Sequence, residues 1–441
     1  MASKEEVSAA FEEIKENFGL DELKSEQLDI LTSIIRNEDC VGVLPTGYGK
    51  SLPYQVAKGV ANKLGKEFHK IIVCSPLISL MQDQVARLQK FGNGLKVMYK
   101  GQKDYCAVEE CDIIFSSPEH LVGNDDWRGS LSKLKVSLIV VDEFHTVSTW
   151  GELSKNEHEK VFRRWFRYLG EVRSLFPEAS MLALSATCTD EILKEVLQAL
   201  SMEGAKHIIV SPDKGNIKYS VFRTGRTMEP SLFWLIDELH ENFERFPRTL
   251  IYCNSIQDVA RVFTYFKKEL PDCSVIEMFH SETSDKKKME IVTDLSSSEG
   301  VLKVVVCTSA LGMGVDIKNC QNIILYGPPR NVVDLVQIVG RAGRDGCNAS
   351  ALLLCSSYQI GHVDKNMKGI INDDACRRKN IMKHFMYAEV MFDQELHRCC
   401  DNCAQKCLCK KCEMPYLESL YIDSHTLNTN SPDENSESDS D

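Results

Sequence analysis

Long apolar runs are absent from this sequence, which argues against a membrane-spanning protein. No stretch approaches the roughly 20 apolar residues that a spanning helix requires. The first ten residues, MASKEEVSAA, carry early charges and no apolar core, so they do not resemble a secretory signal. We therefore expect an intracellular protein, cytosolic or nuclear, that has no membrane partner.

Basic residues are absent after Cys412, where eight acidic residues lie. Much of the formal net charge of -12 therefore belongs to this end, and the rest of the chain is nearly neutral. A nearly neutral body can still bind phosphates through local basic patches, because the field in a groove depends on how charges are arranged. The closing stretch NTNSPDENSESDSD also lacks apolar side chains, and we predict a disordered acidic tail over 413–441.

The N-terminal segment has the pattern of an amphipathic helix. Val7, Phe11 and Ile14 recur at spacings of four and three residues. Ser3 and Glu6 have the spacing of a capping box, in which each side chain binds the backbone of the other residue. These features predict a helix within residues 1–17.

Ten short β-rich segments alternate with helical stretches. The first five are CVGVL, KIIVCS, DIIFSS, SLIVVD and MLALS, and the second five are RTLIYC, SVIEMF, LKVVVC, NIILYG and SALLLC. Alternation of this kind predicts mainly parallel sheets that helices cover on both faces. The fold class is therefore α/β, with one domain at 18–215 and a second at 216–360.

The segment VGVLPTGYGKS predicts a phosphate-binding loop between a strand and a helix. In that context, backbone N–H groups and the helix N-terminus face a phosphate. Thr46, Gly47 and Gly49 would form the loop, Lys50 would reach the β- and γ-phosphates, and Ser51 would coordinate Mg²⁺. The sequence therefore predicts ATP and Mg²⁺ as cofactors.

Two further segments supply the charges that phosphoryl transfer needs. Asp142 and Glu143 end the run LIVVDE, where Asp142 is predicted to hold Mg²⁺ and Glu143 to orient and deprotonate the attacking water. QIVGRAGRDG adds Arg341 and Arg344, which would share a face if they lay on one helical turn. Guanidinium groups bind phosphate oxygens as a fork, so we predict that both arginines stabilise the transition state.

Together these segments resemble the RecQ family of superfamily 2 helicases, over about residues 18–407. LPTGYGKS is similar to motif I, SPLISLMQDQV to Ia, DEFH to II, LSATCT to III, TSALGMGVDIK to V and QIVGRAGRDG to VI. The resemblance implies two tandem RecA-like domains followed by a small helical zinc-binding subdomain at 361–412. It also implies an ATP-dependent helicase that moves 3′ to 5′ on single-stranded DNA.

The segment that would bind adenine departs from the family pattern. Gln27 resembles the residue that reads adenine, and Lys24 keeps the positive charge of the arginine that usually precedes it. Leu20 and Leu23, however, stand where the family has Tyr and Phe. We therefore identify Lys24 and Gln27 as ATP-binding residues, without an aromatic ring to stack on adenine.

Other residues take their predicted roles from the resemblance alone. Gln337 resembles the motif VI glutamine that lines the catalytic cleft. His145, Ser185 and Thr187 resemble the motif II and motif III residues that couple ATP hydrolysis to DNA.

In RecQ proteins the loop after motif II senses DNA, and TWG and FRRW match its two ends here. Ten residues, ELSKNEHEKV, separate those ends, where the family has two. We predict that Trp150 and Phe162 stack on bases and that Arg163 binds a phosphate. The alternative is a helix that buries Phe162 and Trp165 and leaves the arginines in solvent.

Cysteine is concentrated near the C-terminus, where HRCCDNCAQKCLCKKC contains six of the 18 cysteines. Structural zinc takes four Cys or Cys/His ligands, often in close pairs. The resemblance selects as ligands Cys376, Cys400, Cys403 and Cys407. The residues alone leave open Cys399 in place of Cys400, and Cys409 or Cys412 in place of Cys407. We expect no winged-helix domain after this cluster, in contrast to larger RecQ proteins.

The sequence thus predicts an ATP-dependent DNA helicase that acts on single-stranded, forked or partially duplex DNA in repair, recombination or replication. We expect it in the nucleus if the organism is eukaryotic and in the cytoplasm otherwise. One alternative is an RNA helicase, against which SPLISLMQDQV and the cysteines argue. The other is a DNA-binding or annealing factor with weak unwinding, because the aromatic loop is altered. No protein partner is indicated.

Overall fold

The chain is described by a computed structural model. It covers residues 2–90, 94–102, 107–146, 168–312, 315–385, 395–409, 412 and 414–428. Contacts divide the chain into two compact units: Met1–Asp213 with Lys383–Glu389, and Lys214–Met382 with Val390–Asp441. In the part of the chain that is described, no helix has both the length and the apolar character needed to cross a membrane.

Seven parallel strands form the sheet of the first unit, among its described residues. They are β1 Cys40–Val43, β2 Lys70–Cys74, β3 Val97–Tyr99, β4 Ile113–Ser116, β5 Val136–Val141, β6 Ser180–Ser185 and β7 Lys206–Ile209. Their order is β3-β4-β2-β5-β6-β1-β7. Because β5, β6 and β1 are adjacent and parallel, their carboxyl ends meet at one edge, where ligands bind in open α/β sheets.

Helices cover this sheet. Those described are α1 Lys4–Glu12, α2 Ser25–Ile35, α3 Leu52–Lys63, α4 Ile78–Lys90, α5 Pro118–Gly123, α6 Asp125–Leu131, α7 Gly170–Leu175 and α8 Asp190–Ala199. The N-terminal capping box is confirmed: the Glu6 N–H donates to Ser3 Oγ at 3.1 Å, and the Ser3 N–H donates to Glu6 Oε2 at 2.7 Å. Val7, Phe11 and Ile14 are buried in the core of this unit, as their spacing predicts.

The second unit contains a six-stranded parallel sheet, counted over its described residues. Its strands are β8 Ile217–Arg223, β9 Arg248–Cys253, β10 Ile276–Phe279, β11 Val304–Cys307, β12 Cys320–Tyr326 and β13 Ala349–Cys355, in the order β10-β11-β9-β12-β13-β8. All ten predicted strands are present in the two sheets, so the predicted pair of parallel-sheet α/β domains is confirmed.

The helices of the second unit fall into two groups. Those that follow strands of the sheet are α9 Glu229–Glu241, α10 Ile256–Glu269, α11 Asp285–Ser296 and α12 Val332–Val339. Those beyond the last strand are α13 Ser357–Ile360, α14 Lys365–Asn372, α15 Arg377–Met382, α16 Leu396–Cys399, α17 Asp401–Ala404 and α18 Tyr416–Asn428.

Helix α18 corrects the prediction of a disordered tail over 413–441. Leu417 is fully buried and Tyr421 is nearly so, and both belong to the core of the second unit. Lys218 on β8 forms an ion pair with Glu418 at 3.1 Å, and each side chain is only 3% exposed. Leu417 and Tyr421 lie one helical turn apart, an apolar pattern that the acidic composition of the segment obscures. The remainder of the predicted tail, 429–441, lies outside the described residues.

Candidate nucleotide site and cysteine clusters

The P-loop joins β1 to α3 and depends on two glycines with left-handed backbone. Gly47 and Gly49 both have a φ of 84°, which residues with a Cβ rarely adopt. A Cβ at Gly49 would lie 2.6 Å from Gln27 Nε2, so only glycine leaves room for that amide. Ser51 precedes α3 directly, so the loop leads into the positive end of a helix dipole, which favours a phosphate; the Leu52 N–H donates to the Gly49 carbonyl at 3.1 Å, and Pro53 has no N–H.

Gln27 is buried and holds the P-loop backbone. Its Nε2 donates to the carbonyl oxygens of Tyr48 at 2.8 Å and Gly49 at 3.1 Å, while its Oε1 accepts the Lys24 N–H at 2.8 Å. Both amide protons are therefore used on the loop. The side chain that is predicted to read adenine is thus part of the support of the P-loop itself.

Tyr48 is an aromatic residue of this site that the sequence analysis missed. Lys24 Nζ lies 3.9 Å from the centre of the Tyr48 ring, and the Tyr48 hydroxyl donates to Glu26 Oε2 at 2.5 Å. Burial and the neighbouring Glu26 carboxylate raise the pKa of Tyr48 to about 12. Tyr48 thus places a ring beside Lys24 and Gln27, where Leu20 and Leu23 provide none. The position of Tyr48 inside the P-loop motif was the feature of the sequence that could have identified it as a residue of this site.

The P-loop lysine contacts the predicted catalytic base directly. Lys50 Nζ lies 2.7 Å from Glu143 Oε1, and both side chains are mostly buried. Ser51 Oγ accepts a hydrogen bond from Gln84 Nε2 at 3.1 Å, and Gln84 Oε1 in turn accepts one from Gln55 at 2.6 Å. Gln84, in the motif Ia segment on α4, is a second residue that the sequence analysis did not assign.

Asp142 and Glu143 follow β5 and differ in environment. Asp142 is 4% exposed, and its Oδ1 accepts the Glu143 N–H at 3.0 Å. Burial, together with the charge of Glu143, raises the pKa of Asp142 to about 7. Glu143 has a φ of 51°, and this left-handed backbone is costly for a residue with a Cβ. Such strain is typical of functional sites and directs the Glu143 side chain toward Lys50.

His145 connects the acidic pair to motif III. Its Nδ1 lies 2.9 Å from Ser185 Oγ and 3.3 Å from Glu143 Oε2. A carboxylate only accepts hydrogen bonds, and Ser185 Oγ already donates its proton to the Thr187 carbonyl at 2.8 Å, so Nδ1 carries the proton. Burial lowers the pKa of His145 to about 4, which keeps the ring neutral. The three residues predicted to couple ATP to DNA thus form one buried network with Glu143.

In the second unit, Arg341 and Arg344 converge on one backbone group. Each Nη1 donates to the Val315 carbonyl at 3.2 Å, and Arg344 also pairs with Asp316 Oδ1 at 2.8 Å. The side chains share a face, as predicted, but not on a helical turn. Helix α12, which carries Gln337, ends at Val339, and the arginines lie in the following turn. Gly343, with a φ of 56°, takes the backbone of this turn out of the helical path.

Residues that join the two sequence halves support this arginine turn. Lys214 Nζ donates to the carbonyls of Gly340 at 2.7 Å and Ala342 at 3.4 Å, and Asn216 Nδ2 donates to that of Gly343 at 2.9 Å. Burial and the nearby arginine charges lower the pKa of Lys214 to about 8. Gly343 has a φ of 56°, and a Cβ there would meet the Asn216 amide at 2.3 Å. The segment DKGN therefore positions motif VI.

The predicted DNA-binding residues Trp150, Phe162 and Arg163 lie outside the described residues, within 147–167. The structure therefore bears on neither the stacking interpretation nor the buried-helix alternative. Both remain predictions from sequence.

The cysteines form two groups, which differ from the predicted set. The ligand atoms of the first group all lie within 4.8 Å of one another, and its members are Cys376, Cys399, Cys400 and Cys403. Cys399 and Cys400 both belong to this group, where the prediction chose one of them. Cys407 lies instead in a second group, with His397, Cys409 and Cys412. The reason is local: Cys399 ends α16 and Cys400 precedes α17, so the chain turns between two adjacent thiols.

Arg377 and Arg378 attach the first cysteine group to the sheet. Arg377 Nε pairs with Asp401 Oδ1 at 2.5 Å, and Asp401 Oδ2 accepts the Val221 N–H of β8 at 3.1 Å. Arg378 is fully buried, donates to the Ile217 carbonyl and stands over the Tyr219 ring at 5.2 Å. The cysteine segment therefore covers edge strand β8, which would otherwise expose unpaired backbone groups.

Two family models match the chain in order. The model for DEAD/DEAH box helicases matches residues 24–196, and the model for the helicase conserved C-terminal domain matches 232–346. The first match lies within the first unit and the second within the second unit.

Curated relatives include helicases from animals, bacteria and a virus. The mouse bifunctional 3′-5′ exonuclease/ATP-dependent helicase WRN is 28% identical over 88% of this chain, which spans 29% of that protein. The ATP-dependent DNA helicase RecQ of Haemophilus influenzae is 27% identical over 82% of the chain, which spans 55% of it. A putative ATP-dependent RNA helicase of Acanthamoeba polyphaga mimivirus is 28% identical over 89% of this chain, and the match spans 71% of that protein.

Solved structures show the same fold at low identity. The helicase MrfA bound to DNA aligns with a TM-score of 0.62 and 22% identity, over 81% of this chain and 52% of that one. Dbp5 of S. cerevisiae bound to RNA aligns with a TM-score of 0.64 and 15% identity, over 95% and 97%. The predicted resemblance to RecQ-type helicases is thus confirmed: the chain has a DEAD/DEAH box helicase domain followed by a helicase conserved C-terminal domain, and it spans about a third to two thirds of the length of most of these relatives.

Proposed function

We propose that this chain is an ATP-dependent DNA helicase of the RecQ type that moves 3′ to 5′ on single-stranded DNA and opens forked or partially duplex DNA. The observation that carries the proposal is the buried network Lys50–Glu143–His145–Ser185. It joins motifs I, II and III through side chains alone. DNA repair, recombination or replication is the proposed setting, in the nucleus of a eukaryote.

The residues at the sheet edge fit Mg·ATP by their chemistry. Ser51 offers a hydroxyl and Asp142 a carboxylate, the oxygen donors that Mg²⁺ prefers. The raised pKa of Asp142 shows that its buried charge lacks sufficient compensation, and a nearby cation would favour the charged form. When bound, Mg²⁺ neutralises charge that develops on the phosphates. Ser51 and Asp142 would hold the metal, and Thr46, Gly47 and Gly49 would surround the phosphates.

Lys50 pairs with Glu143, and a bound triphosphate would compete for this lysine. A triphosphate attracts the Lys50 ammonium, which then leaves the Glu143 carboxylate available to accept a proton from water. His145, whose Nδ1 lies 3.3 Å from Glu143 Oε2, would remain packed beside this carboxylate. Any movement of Glu143 is passed through His145 to Ser185 at the end of β6. Phosphate binding is thereby connected to the motif III segment.

We further propose that the motif VI segment supplies positive charge for the transition state and that the loop after motif II supplies the DNA contacts. We assign transition-state stabilisation to Arg341 and Arg344, with Gln337 as a further residue of the catalytic cleft. Both guanidinium groups already point to one spot at Val315. Trp150, Phe162 and Arg163 remain the proposed DNA contacts.

The first cysteine group fits a structural zinc ion. Its four thiols lie within 4.8 Å of one another, and Cys376 and Cys399 approach to 3.5 Å. Hydrogen bonds from the Cys399 and Cys400 thiols and the Lys379 N–H lower the pKa of Cys376, whereas the contact with Cys376 raises the pKa of Cys399, so the group favours one thiolate without a metal ion. When bound, zinc stabilises the fold of such small segments. Cys376, Cys399, Cys400 and Cys403 would be its ligands.

The test compares ATP hydrolysis and strand displacement on single-stranded, 3′-tailed, 5′-tailed and forked DNA, with matching RNA. We expect stimulation by DNA over RNA and displacement from the 3′ tail but not the 5′ tail. Lys50→Ala is the inactive control, since it removes the ammonium that reaches the phosphates. Greater stimulation by RNA would identify an RNA helicase, and annealing without ATP-driven displacement would identify an annealing factor.

A further inference from the structure

The second group, His397 with Cys407, Cys409 and Cys412, has the geometry of a metal site. Its ligand atoms lie within 4.8 Å of one another. His397 Nδ1 is 3.4 Å from Cys407 Sγ and 3.3 Å from Cys409 Sγ, and Cys409 Sγ is 3.3 Å from Cys412 Sγ. In tetrahedral zinc sites with Zn–S bonds of about 2.3 Å, neighbouring sulfurs lie about 3.8 Å apart. The one printed sulfur–sulfur separation, Cys409 to Cys412 at 3.3 Å, is about 0.5 Å shorter than this, so the donor atoms are gathered closely enough to share one ion.

The histidine of this group is oriented as a metal ligand. His397 is only 3% exposed, and its Nε2 lies 3.1 Å from Glu395 Oε2. The nearby carboxylate favours the tautomer with its proton on Nε2, in which Nδ1 faces Cys407 and Cys409 with its lone pair. Arg398 Nε, 3.5 Å from the same carboxylate oxygen, helps to hold Glu395. Metal-binding histidines commonly donate their other N–H to a carboxylate in this way.

The first group does not need these residues, because it already contains four thiols. Helix α16 contributes one member to each group, His397 to the second and Cys399 to the first. Two separate four-ligand sites therefore account for all six cysteines of 397–412 together with Cys376 and His397. Chance clustering of solvent-facing thiols explains neither the buried imidazole nor its carboxylate partner.

We propose that His397, Cys407, Cys409 and Cys412 bind a second zinc ion, so that the chain holds two. A set of three thiolates and one neutral imidazole suits zinc rather than a hard cation such as Mg²⁺. Through α16 the two ions stabilise one segment, and loss of the second would loosen the segment that covers β8.

Metal content tests the proposal directly. The full chain, purified with a thiol reductant and without chelators, is analysed for zinc by mass spectrometry. Two zinc ions per chain are expected, falling to one in Cys409→Ser/Cys412→Ser. Cys347→Ser, which alters an exposed cysteine outside both groups, should retain two. One zinc in the unaltered chain, or two in the double variant, would overturn the proposal, as would a Cys409–Cys412 disulfide found by thiol alkylation.

A milder change tests the role assigned to Glu395. Glu395→Gln keeps the side-chain size but removes the charge that supports the His397 ring. Replacing such supporting groups typically lowers metal affinity by about 10–100-fold. Competition with a chromogenic chelator should show this loss for one of the two ions only, while Glu203→Gln, an exposed control, leaves both unchanged. If the chelator removed zinc from Glu395→Gln no more readily than from Glu203→Gln, Glu395 would not support the His397 ring as proposed.

Discussion

Single residues at the nucleotide site do more than their motif roles require. Gln27 supports the P-loop through two donated hydrogen bonds, and the absence of a Cβ at Gly49 is what admits its amide. His145 is neutral and buried, its Nδ1 forms a hydrogen bond with Ser185 Oγ, and the same nitrogen lies 3.3 Å from Glu143 Oε2. Substitutions that keep size but change donor or charge character therefore probe the site sharply.

Gln27→Glu should weaken ATP binding roughly tenfold, because two hydrogen bonds worth about 0.5–1.5 kcal/mol each are replaced by an acceptor facing two carbonyl oxygens. Titration with a fluorescent ATP analogue measures this change. Gln82→Glu, on the exposed face of α4, is the matched control and should bind ATP normally. Equal affinities of the two variants would show that the amide does not support the loop.

Asp142→Asn should stabilise the nucleotide-free protein at high pH. The folded-state pKa of about 7 lies above the ordinary 3.8, so the folded protein holds this proton more tightly than the unfolded chain does. The stabilisation of the folded state by the proton on Asp142 is complete below about pH 4 and is lost as pH rises through 7. Its loss lowers the free energy of unfolding by an amount on the order of 2–4 kcal/mol. Asparagine avoids that loss and retains the acceptor for the Glu143 N–H.

Denaturant unfolding at pH 5 and pH 8, without added Mg²⁺, measures the effect. The variant should exceed the unaltered protein in unfolding free energy at pH 8, and the difference should shrink markedly at pH 5. Glu203→Gln removes an exposed carboxylate of the same unit and should show no such pH dependence. A difference that is equal at both pH values would contradict the raised pKa.

Helices and strands were predictable from the sequence where most of their side chains are buried and apolar. The ten predicted strands have continuous apolar runs because helices cover both faces of a parallel sheet. The three missed strands, β3, β7 and β8, all lie at sheet edges, where fewer apolar residues are required. Helix α18 was missed for a related reason, since only a few apolar side chains carry its packing within an acidic composition.

The buried pair Lys218–Glu418 fixes α18 to β8 and gives a test of this correction. Glu418→Gln leaves the Lys218 charge buried without its partner and should cost about 3–5 kcal/mol. The double change Lys218→Met/Glu418→Leu should recover most of that loss, because it removes both charges. Chemical denaturation followed by tryptophan fluorescence measures each variant.

An exposed ion pair provides the control for this cycle. Lys194 and Asp190 pair at 3.0 Å on α8 with both side chains largely in solvent. Lys194→Met should change stability by less than about 1 kcal/mol, as is usual for surface pairs. If Glu418→Gln were equally mild, α18 would not be held by this pair.

Over the whole chain, the sequence predicted the chemical roles of residues better than the local backbone turns that position them. Lys50 and Glu143 were assigned to one site because phosphoryl transfer needs both a phosphate-binding lysine and an acidic residue at the end of a second strand, and they lie 2.7 Å apart. The division of the cysteines was not predictable, because it depends on the turn between α16 and α17 rather than on spacing. The arginine turn likewise depends on Lys214 and Asn216, which no motif marks.

The proposed coupling between ATP hydrolysis and strand separation would involve the whole molecule, and a substitution of Ser185 tests it. Ser185→Ala removes the acceptor of the buried His145 Nδ1–H on the motif III side, a loss of about 1–3 kcal/mol. Lys50, Asp142 and Glu143 remain intact, so DNA-stimulated ATP hydrolysis should be largely retained. Base pairs separated per ATP consumed should fall about tenfold or more, since 1.4 kcal/mol corresponds to a factor of ten.

Ser180→Ala is the matched control, because Ser180 is also a buried serine on β6. Among the described side-chain hydrogen bonds, its hydroxyl makes one, to the Ser137 carbonyl at 3.5 Å. Ser180→Ala should leave both the hydrolysis rate and the yield of strand separation per ATP unchanged. A loss of hydrolysis in Ser185→Ala that matches its loss of strand separation would assign the hydroxyl to the chemical step. The network from Glu143 to β6 would then serve catalysis and would not transmit its outcome to DNA.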